Sequence, residues 1–253
     1  MNMYLRKEEI LNYIRERKIC GMEELLKTFK VSVSTLHRDL NILKQEGRIN
    51  KYYGKVTLKE EKDFYQSRMQ VNVALKRRIA KKALEFIENG DCLFFDNSTT
   101  VFYLGEALCE SYFKNITVVS NSALLLNLFL KNRDIEFIAT GGKLDKDFNC
   151  FIGPQALRAI HDFNGSKFFF STSSISLDGG ISDIYFPDEM SIKESMFRRS
   201  QKSFLLVDST KFGKISTTKW FDPYEITCII TDRSISQERL REFKDTGIEL
   251  VIA

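Results

Sequence analysis

Proline is scarce, with three residues in 253, and no low-complexity tract occurs, so long disordered linkers are excluded. No stretch reaches the roughly 20 apolar residues of a membrane span. The nearest, residues 123–130, is interrupted by Asn127. The start, MNMYLRKEEI, has no apolar run of the signal-peptide kind, so a cytoplasmic protein without membrane contact is expected. Metal-binding residues are few. His37 and His161 stand far apart, and the five cysteines (Cys20, Cys92, Cys109, Cys150, Cys228) are odd in number and lack the spacing of a zinc or redox pair. They are expected to be reduced and mostly buried, with no metal site and no cofactor.

Against these absences stands an ordinary globular composition, 43% hydrophobic and 28% charged, sufficient for one large or two modest domains. The stretch VSVSTLHRDLNILKQE, Val31 to Glu46, organises the first part of the chain. Val33, Leu36, Leu40 and Leu43 recur at spacings of three and four, which predicts one buried helical stripe. Ser34, His37, Arg38 and Asn41 fall on another face. Ser32 is placed as an N-cap, and Val31 and Leu36 as a hydrophobic staple. A short helix from Met22 to Phe29 and a turn from Lys30 to Ser32 precede it. This is the layout of a helix-turn-helix, whose second helix enters the DNA major groove. An ordinary helical hairpin with a solvated polar face shares the same periodicity.

Two features favour the first reading. Gly47 ends the helix, and Arg48 to Val56 then reads as a basic two-stranded wing with two tyrosines. Charge is also partitioned: residues 1–57 carry 12 Lys+Arg and 7 Asp+Glu, whereas residues 58–253 carry 26 and 27. The whole basic excess therefore sits with the second helix, as phosphate neutralisation requires.

The expected organisation is a small all-α winged-helix domain over residues 1–57, a linker over 58–72, and a mostly parallel, doubly wound α/β domain over 73–253. A first helix runs from Lys7 to Glu16. Another is expected from about Arg68 to Asn89; its cluster Lys76, Arg77, Arg78, Lys81 and Lys82 is read as a solvated face, with contact to DNA as the alternative. Beyond Asp91, short apolar runs alternate with helical patterns, which predicts a parallel sheet covered on both faces. Strands are placed at Cys92 to Phe95, Ile116 to Val119, Ile135 to Ala139, Lys167 to Phe170, Phe204 to Val207, Ile226 to Ile230 and Glu249 to Ile252. Polar residues gather after these runs: Asp96-Asn97-Ser98-Thr99-Thr100, Ser120-Asn121-Ser122, Thr140-Gly141-Gly142, Ser171 to Ser174, and Asp208-Ser209-Thr210-Lys211. Each alone is an ordinary N-cap; five at the same edge of one sheet predict a polar pocket. Hydroxyls at the helix N-terminus after Asp96 suit a phosphate.

These residues in this order resemble the DeoR family of transcriptional regulators over nearly the whole chain. In the first domain the resemblance rests on Glu24-Leu25, Val31-Ser32 and Thr35-Leu36-His37-Arg38-Asp39-Leu40. In the second it rests on Asp96 to Thr100, Thr140-Gly141-Gly142, Gly180-Ile181-Ser182, Glu189 with Lys193, and Asp208 to Phe212. His37 stands where the family usually has arginine, and Ser98 where it has glycine in the phosphate loop. The resemblance implies a regulator, most often a repressor, of carbohydrate-metabolism genes. It would be a homodimer or homotetramer binding double-stranded operator DNA, with a body similar to ribose-5-phosphate isomerase that senses a phosphorylated sugar. Ser98, Thr99 and Thr100 would hold the phosphate; Asp96, Asn97, Asn121, Gly142, Glu189, Lys193 and Lys211 would line the pocket. Arg38 and Asn41 would read base edges beside Ser34, Thr35 and His37, with Lys51, Tyr53 and Lys55 on the backbone. The protein is then not an enzyme. The alternative, a sugar-phosphate isomerase with an accessory DNA-binding domain, would need a base among Asp178, Asp183, Glu189 and Asp208. A scaffolding domain with an empty cleft is a third reading.

Overall fold

The structure is a computed structural model that describes residues 3–17, 19–46, 48–52, 55–58, 64–130, 132, 134–184 and 186–253. The chain forms two compact units, Met1–Gln66 and Ser67–Ala253.

The first unit runs α1 (Met3–Arg17), β1 (Ile19–Gly21), α2 (Met22–Phe29), α3 (Val33–Gln45), β2 (Ile49–Tyr52) and β3 (Lys55–Leu58). The two wing strands pair antiparallel, with Lys51 opposite Val56. β1, which has no sequence signature, joins β3 through Cys20 opposite Val56, so the sheet has three strands in the order β1-β3-β2. Ile10, Leu11 and Ile14 of α1 meet Leu25, Leu36, Leu40, Leu43, Ile49 and Val56 in one core. Gly47, expected to end the helix, and Tyr53 and Gly54, expected in the wing, lie outside the described residues.

One expectation about α3 is corrected. Val33 is 58% exposed. It is the first helical residue, and its Cα–Cβ bond tilts back past the end of the helix, away from the core. The buried stripe instead includes Asp39, fully buried, whose carboxylate accepts from Arg6 Nε at 2.6 Å. A charged residue is tolerated there because its partner arrives from α1. Ser32 does cap the helix, its hydroxyl accepting from the Thr35 amide at 3.2 Å.

The chain continues through α4 (Phe64–Gln70), which straddles the division, into α5 (Val73–Ala83), β4 (Cys92–Phe95), α6 (Thr99–Cys109), β5 (Ile116–Ser120), α7 (Ala123–Phe129), β6 (Ile135–Ala139), β7 (Lys143–Asp145), β8 (Cys150–Ile152), α8 (Pro154–His161), β9 (Gly165–Phe170), β10 (Ser174–Ser176), β11 (Gly180–Asp183), α9 (Pro187–Arg198), β12 (Ser200–Leu206), β13 (Thr218–Phe221), β14 (Cys228–Thr231), α10 (Gln237–Lys244) and β15 (Leu250–Ile252). The helix expected over Arg68 to Asn89 is broken: Asn72 takes a left-handed backbone, φ 54°, between α4 and α5, and a short 3-10 turn, Leu84–Phe86, follows α5. Asparagine accepts that conformation more readily than most residues.

Seven parallel strands form the main sheet in the order β15-β14-β12-β9-β4-β5-β6. Alternate residues feed two cores. Phe95, Phe169, Phe204 and Leu206 pack with Ile79, Ala83, Val101 and Leu104 of α5 and α6. Phe94, Phe168, Phe170 and Leu205 pack with Ile160, Ile192, Met196 and Phe243 of α8, α9 and α10. Fully burying each such side chain stabilises the fold by about 1.5–3 kcal/mol, which is why these strands read as unbroken apolar runs. Chain progression goes outward in both directions from the central pair, β4 to β6 on one side and β9 to β15 on the other. The reversal lies between β4 and β9, where a doubly wound sheet opens a crevice at its carboxyl edge. Two small antiparallel sheets attach at that edge. The β7–β8 hairpin is bridged to Ser122 after β5, and β10-β11-β13 is bridged to the main chain through Ile175 and Phe212.

Candidate functional site

At the reversal point the first residue after β4, Asp96, is fully buried. Its carboxylate accepts from the Ser98 amide at 2.9 Å and, across the gap to β9, from the Ser171 amide at 3.1 Å. Lys193, rising from α9, sits 3.0 Å from the same carboxylate and 3.2 Å from Glu189 Oε1 one helical turn earlier. Its ammonium also donates to the Ser171 carbonyl at 3.3 Å and lies 4.3 Å from the Trp220 ring centroid. Burial opposes the charged form of Lys193, but Asp96, Glu189 and Asp183 together hold it above the ordinary lysine value. Burial raises the Glu189 carboxyl; Lys193 opposes this, and the negative charges of Asp183 and Asp96 add to it. Asp183 itself accepts from the Ser173 amide and hydroxyl.

Asn97, Ser98, Thr99 and Thr100 follow Asp96 and are all at least nine-tenths buried. Ser98 is the N-cap of α6, accepting from the Val101 amide, so that helix starts at Thr99. Asn97 donates to the Phe148 carbonyl and Asn121 to the Phe151 carbonyl, each at 3.3 Å, which ties the tips of β4 and β5 to the β7–β8 hairpin. Both side-chain oxygens of this pair, Asn97 Oδ1 and Asn121 Oδ1, are buried without a protein partner. Gly142 packs against β8 and α8: at φ 107°, a Cβ there would stand 2.8 Å from the Ile152 carbonyl and 3.2 Å from the Ala156 amide. Lys211, half-buried after β12, is lowered from the ordinary lysine value by burial and then by Arg68, against the pull of Asp208 and Asp183. Thus the edge brings the predicted Asp96, Glu189 and Lys193 into direct contact, with Asn97 next to Asp96 in the chain, whereas the Lys211 ammonium is not in contact with them.

Among the candidate bases, Asp178 is exposed in a turn and stands apart from this cluster. Sequence reasoning missed Trp220, which faces Lys193, and misplaced Lys76, which is 5% exposed where a solvated position was expected. A groove of about 410 Å³ lies elsewhere, between α8 and α9, lined by Leu157, His161, Ser191, Glu194, Ser195, Arg198 and Arg199. All five cysteines are free thiols, and Cys20, Cys150 and Cys228 are buried. No helix among the described residues is long and apolar enough to cross a membrane.

On the first unit, Ser34, His37, Arg38 and Asn41 are exposed along α3 and Thr35 is half-buried behind them. His37 Nδ1 lies 3.2 Å from Lys51 Nζ, joining the helix to β2 of the wing, and Lys55 is exposed on β3. The buried Leu36, Leu40 and Leu43 hold this polar face outward. A rigid helix with a basic, hydrogen-bonding outer face beside a basic hairpin is the geometry of a winged helix-turn-helix DNA-binding domain.

Comparison with known proteins agrees. Residues 6–62 match the DeoR-like helix-turn-helix domain, and residues 71–233 match the DeoR C-terminal sensor domain. The chain belongs to the DeoR family of transcriptional regulators. It is 30% identical over 238 residues to the L-fucose operon activator of Haemophilus influenzae, covering 92% of this chain and 93% of that one. It is 25% identical over 252 residues to a putative aga operon transcriptional repressor of Escherichia coli O157:H7, covering 98% and 93%. Ribose 5-phosphate isomerase A from Neisseria gonorrhoeae aligns with 54% of this chain and 52% of its own, at a TM-score of 0.41 and 17% identity.

Proposed function

We propose that this regulator represses a carbohydrate-metabolism operon in the cytoplasm and is controlled by a phosphorylated sugar bound at the carboxyl edge of the parallel sheet. The observation that carries this reading is the reversal point between β4 and β9. There the buried set Asp96, Glu189 and Lys193 adjoins the N-terminus of α6 with Ser98, Thr99 and Thr100. Paired carboxylates suit sugar hydroxyls, and open backbone N–H groups at a helix start suit a phosphate. The buried oxygens of Asn97 and Asn121 are two acceptors for ligand hydroxyls. Asp96, Asn97, Asn121, Gly142, Glu189, Lys193 and Lys211 form or shape the pocket. Lys193 is held between two carboxylates, an arrangement for binding rather than turnover.

A homodimer or homotetramer presents α3 to successive half-sites of double-stranded operator DNA. Arg38 and Asn41 read base edges beside Ser34, Thr35 and His37, and Lys51, Tyr53 and Lys55 contact the backbone. A difference of only ~1–3 kcal/mol in effector affinity between two states is enough for control. The test is thermal stability of the full chain against a panel of sugar phosphates, each beside its unphosphorylated sugar. Binding to DNA from upstream of its own gene is then followed by fluorescence anisotropy against salt. A phosphate-dependent rise in Tm and a steep salt dependence are expected. Equal shifts with and without phosphate, or salt-independent binding, refute the corresponding half.

A further inference from the structure

The groove between α8 and α9 uses a different side of α9 from the carboxyl-edge cluster. Glu189 and Lys193 lie with Ile192 and Met196 on the inward side, whereas Ser191, Glu194, Ser195 and Arg198 recur at spacings of three and four along the groove. The groove runs to the last turns of both helices, beside the amino ends of β9 and β12, where the Gly165 amide donates to the Arg199 carbonyl at 2.9 Å. Asp96 lies at the other end of the sheet. Ser195 is 8% exposed, and its hydroxyl is buried with no hydrogen-bond partner among the described residues. A helical serine readily donates to the carbonyl four residues back. Ser191 does so to Pro187 at 2.9 Å, and Ser200, just past the helix, to Met196 at 2.8 Å. Ser195, between them, does not. An unbonded buried hydroxyl is a standing cost that an acceptor on a ligand removes. Arg199 donates from Nε to the Phe163 carbonyl at 2.7 Å and from Nη2 to Asn164 Oδ1 at 2.9 Å, which pins its guanidinium to the loop after α8 and leaves Nη1 for another acceptor. Arg198 closes on Glu194 Oε1 from Nε and Nη2, at 3.0 and 2.6 Å, so the carboxylate lining the groove is already neutralised. His161 ends α8 with an exposed imidazole, and Leu157 gives an aliphatic wall.

We propose that this groove binds a small organic monocarboxylate, at a site separate from the carboxyl edge of the sheet. The pinned guanidinium of Arg199 and the unbonded hydroxyl of Ser195 supply donors for the carboxylate, and Leu157 takes the carbon chain. The volume of about 410 Å³ falls within the roughly 300–1,000 Å³ of small-ligand pockets. The charge of the ligand follows from the helices. α8 and α9 both end here, and the carbonyl ends of two helix dipoles oppose excess negative charge. A phosphate dianion is therefore disfavoured where a single carboxylate is held.

The experiment is an NMR titration of the full-length chain carrying carbon-13 in its histidines. The chain has two, His37 and His161, so two imidazole signals are seen, and His161→Gln assigns them. The probes are butyrate, n-butanol as its uncharged analogue, and inorganic phosphate. Butyrate is expected to shift the His161 signal saturably and leave His37 unmoved, while butanol and phosphate at the same concentration shift neither. Ser195→Ala is expected to melt no lower than the parent, since its hydroxyl bonds nothing in the fold, and to weaken butyrate binding about tenfold. Arg199→Lys keeps the charge, loses the fork, and weakens binding at least as much; it is judged by the same criterion if Ser195→Ala does not fold. The site is overturned if butyrate gives no saturable shift of His161, if phosphate shifts it equally, or if both variants bind butyrate as the parent does. A Ser195→Ala chain that melts lower overturns it too, because the hydroxyl is then bonded inside the fold. Sugar phosphates are expected to raise the Tm of Ser195→Ala and parent alike; loss of that rise with loss of butyrate binding would merge the two sites and end the claim of a separate one.

Discussion

Replacing Lys193 with methionine tests whether the carboxyl edge is held by charge. Methionine keeps the length of the stem and removes the ammonium. The parent side chain is 3% exposed and lies 3.0 Å from Asp96 Oδ2 and 3.2 Å from Glu189 Oε1. Its loss leaves two buried carboxylates facing each other with Asp183 near both, and breaking a buried pair in this way costs about 3–5 kcal/mol. The sign with pH follows from Glu189. Its carboxyl is already raised by burial, and Lys193 is what holds it down. In the variant it rises further, so the folded state binds a proton that the unfolded state has released. Stability from that group is complete below the unfolded carboxylate value and is lost as pH rises through the folded one, by about 1.4 kcal/mol per pH unit for one proton. Lys193 in the parent is raised, so its contribution is intact below the ordinary lysine value and unchanged between pH 5 and 8. The penalty is therefore larger at pH 8 than at pH 5, and a Lys193→Met/Glu189→Gln double variant recovers part of it. Trp220 is the chain's one tryptophan and sits against Lys193, so urea unfolding followed by its fluorescence reports the second unit alone. A loss below about 1 kcal/mol at pH 8, or the same loss at both pH values, refutes the argument.

Three further outcomes are expected. Arg38→Ala weakens operator binding by about 1–3 kcal/mol and relaxes sequence preference, measured by anisotropy on matched and scrambled duplexes, since its side chain stands free on the exposed face of α3. Ser32→Ala costs the first unit about 1 kcal/mol in calorimetry, because the Thr35 amide loses its acceptor. Gly142→Ala destabilises more than Gly141→Ala in the same assay. Both glycines have positive φ, 107° and 62°, but only at Gly142 would the added methyl strike backbone, the Ile152 carbonyl at 2.8 Å.

The central sheet was legible because its strands are buried on both faces. Cys92–Phe95 and Gly165–Phe170 carry apolar side chains into two separate cores, and such runs need no alternation to be seen. The small sheets were not legible for the converse reason. Ser174–Ser176 and Gly180–Asp183 are short and rich in serine and glycine. They pair with each other as a short hairpin, and the carboxyl edge adds partners from sequence-distant β13 and Phe212. β1 is the same case in the first unit, three residues fixed by pairing with the wing. Local patterning carries no trace of contacts closed over such distances.

The candidate site divides along the same line. The polar residues that follow the strands marked Asp96 and Lys211, and the family resemblance added Glu189 and Lys193. What the spacing withheld is whether a charge faces water or protein. On α5 the residues Lys76, Arg77 and Arg78 look equivalent, yet Arg77 reaches Glu106 on the surface of α6 while Lys76 turns in to the Arg68 carbonyl. The difference arises at Asn72, where one left-handed residue ends α4 and starts α5 afresh. An unbroken helix over Arg68 to Asn89 would hydrogen-bond the Arg68 carbonyl to the amide four residues on; at the break it accepts instead from the Val71 amide at 3.3 Å and from Lys76. Burial of Lys76 is thus a consequence of a backbone break, and a helical periodicity analysis assumes that no such break exists.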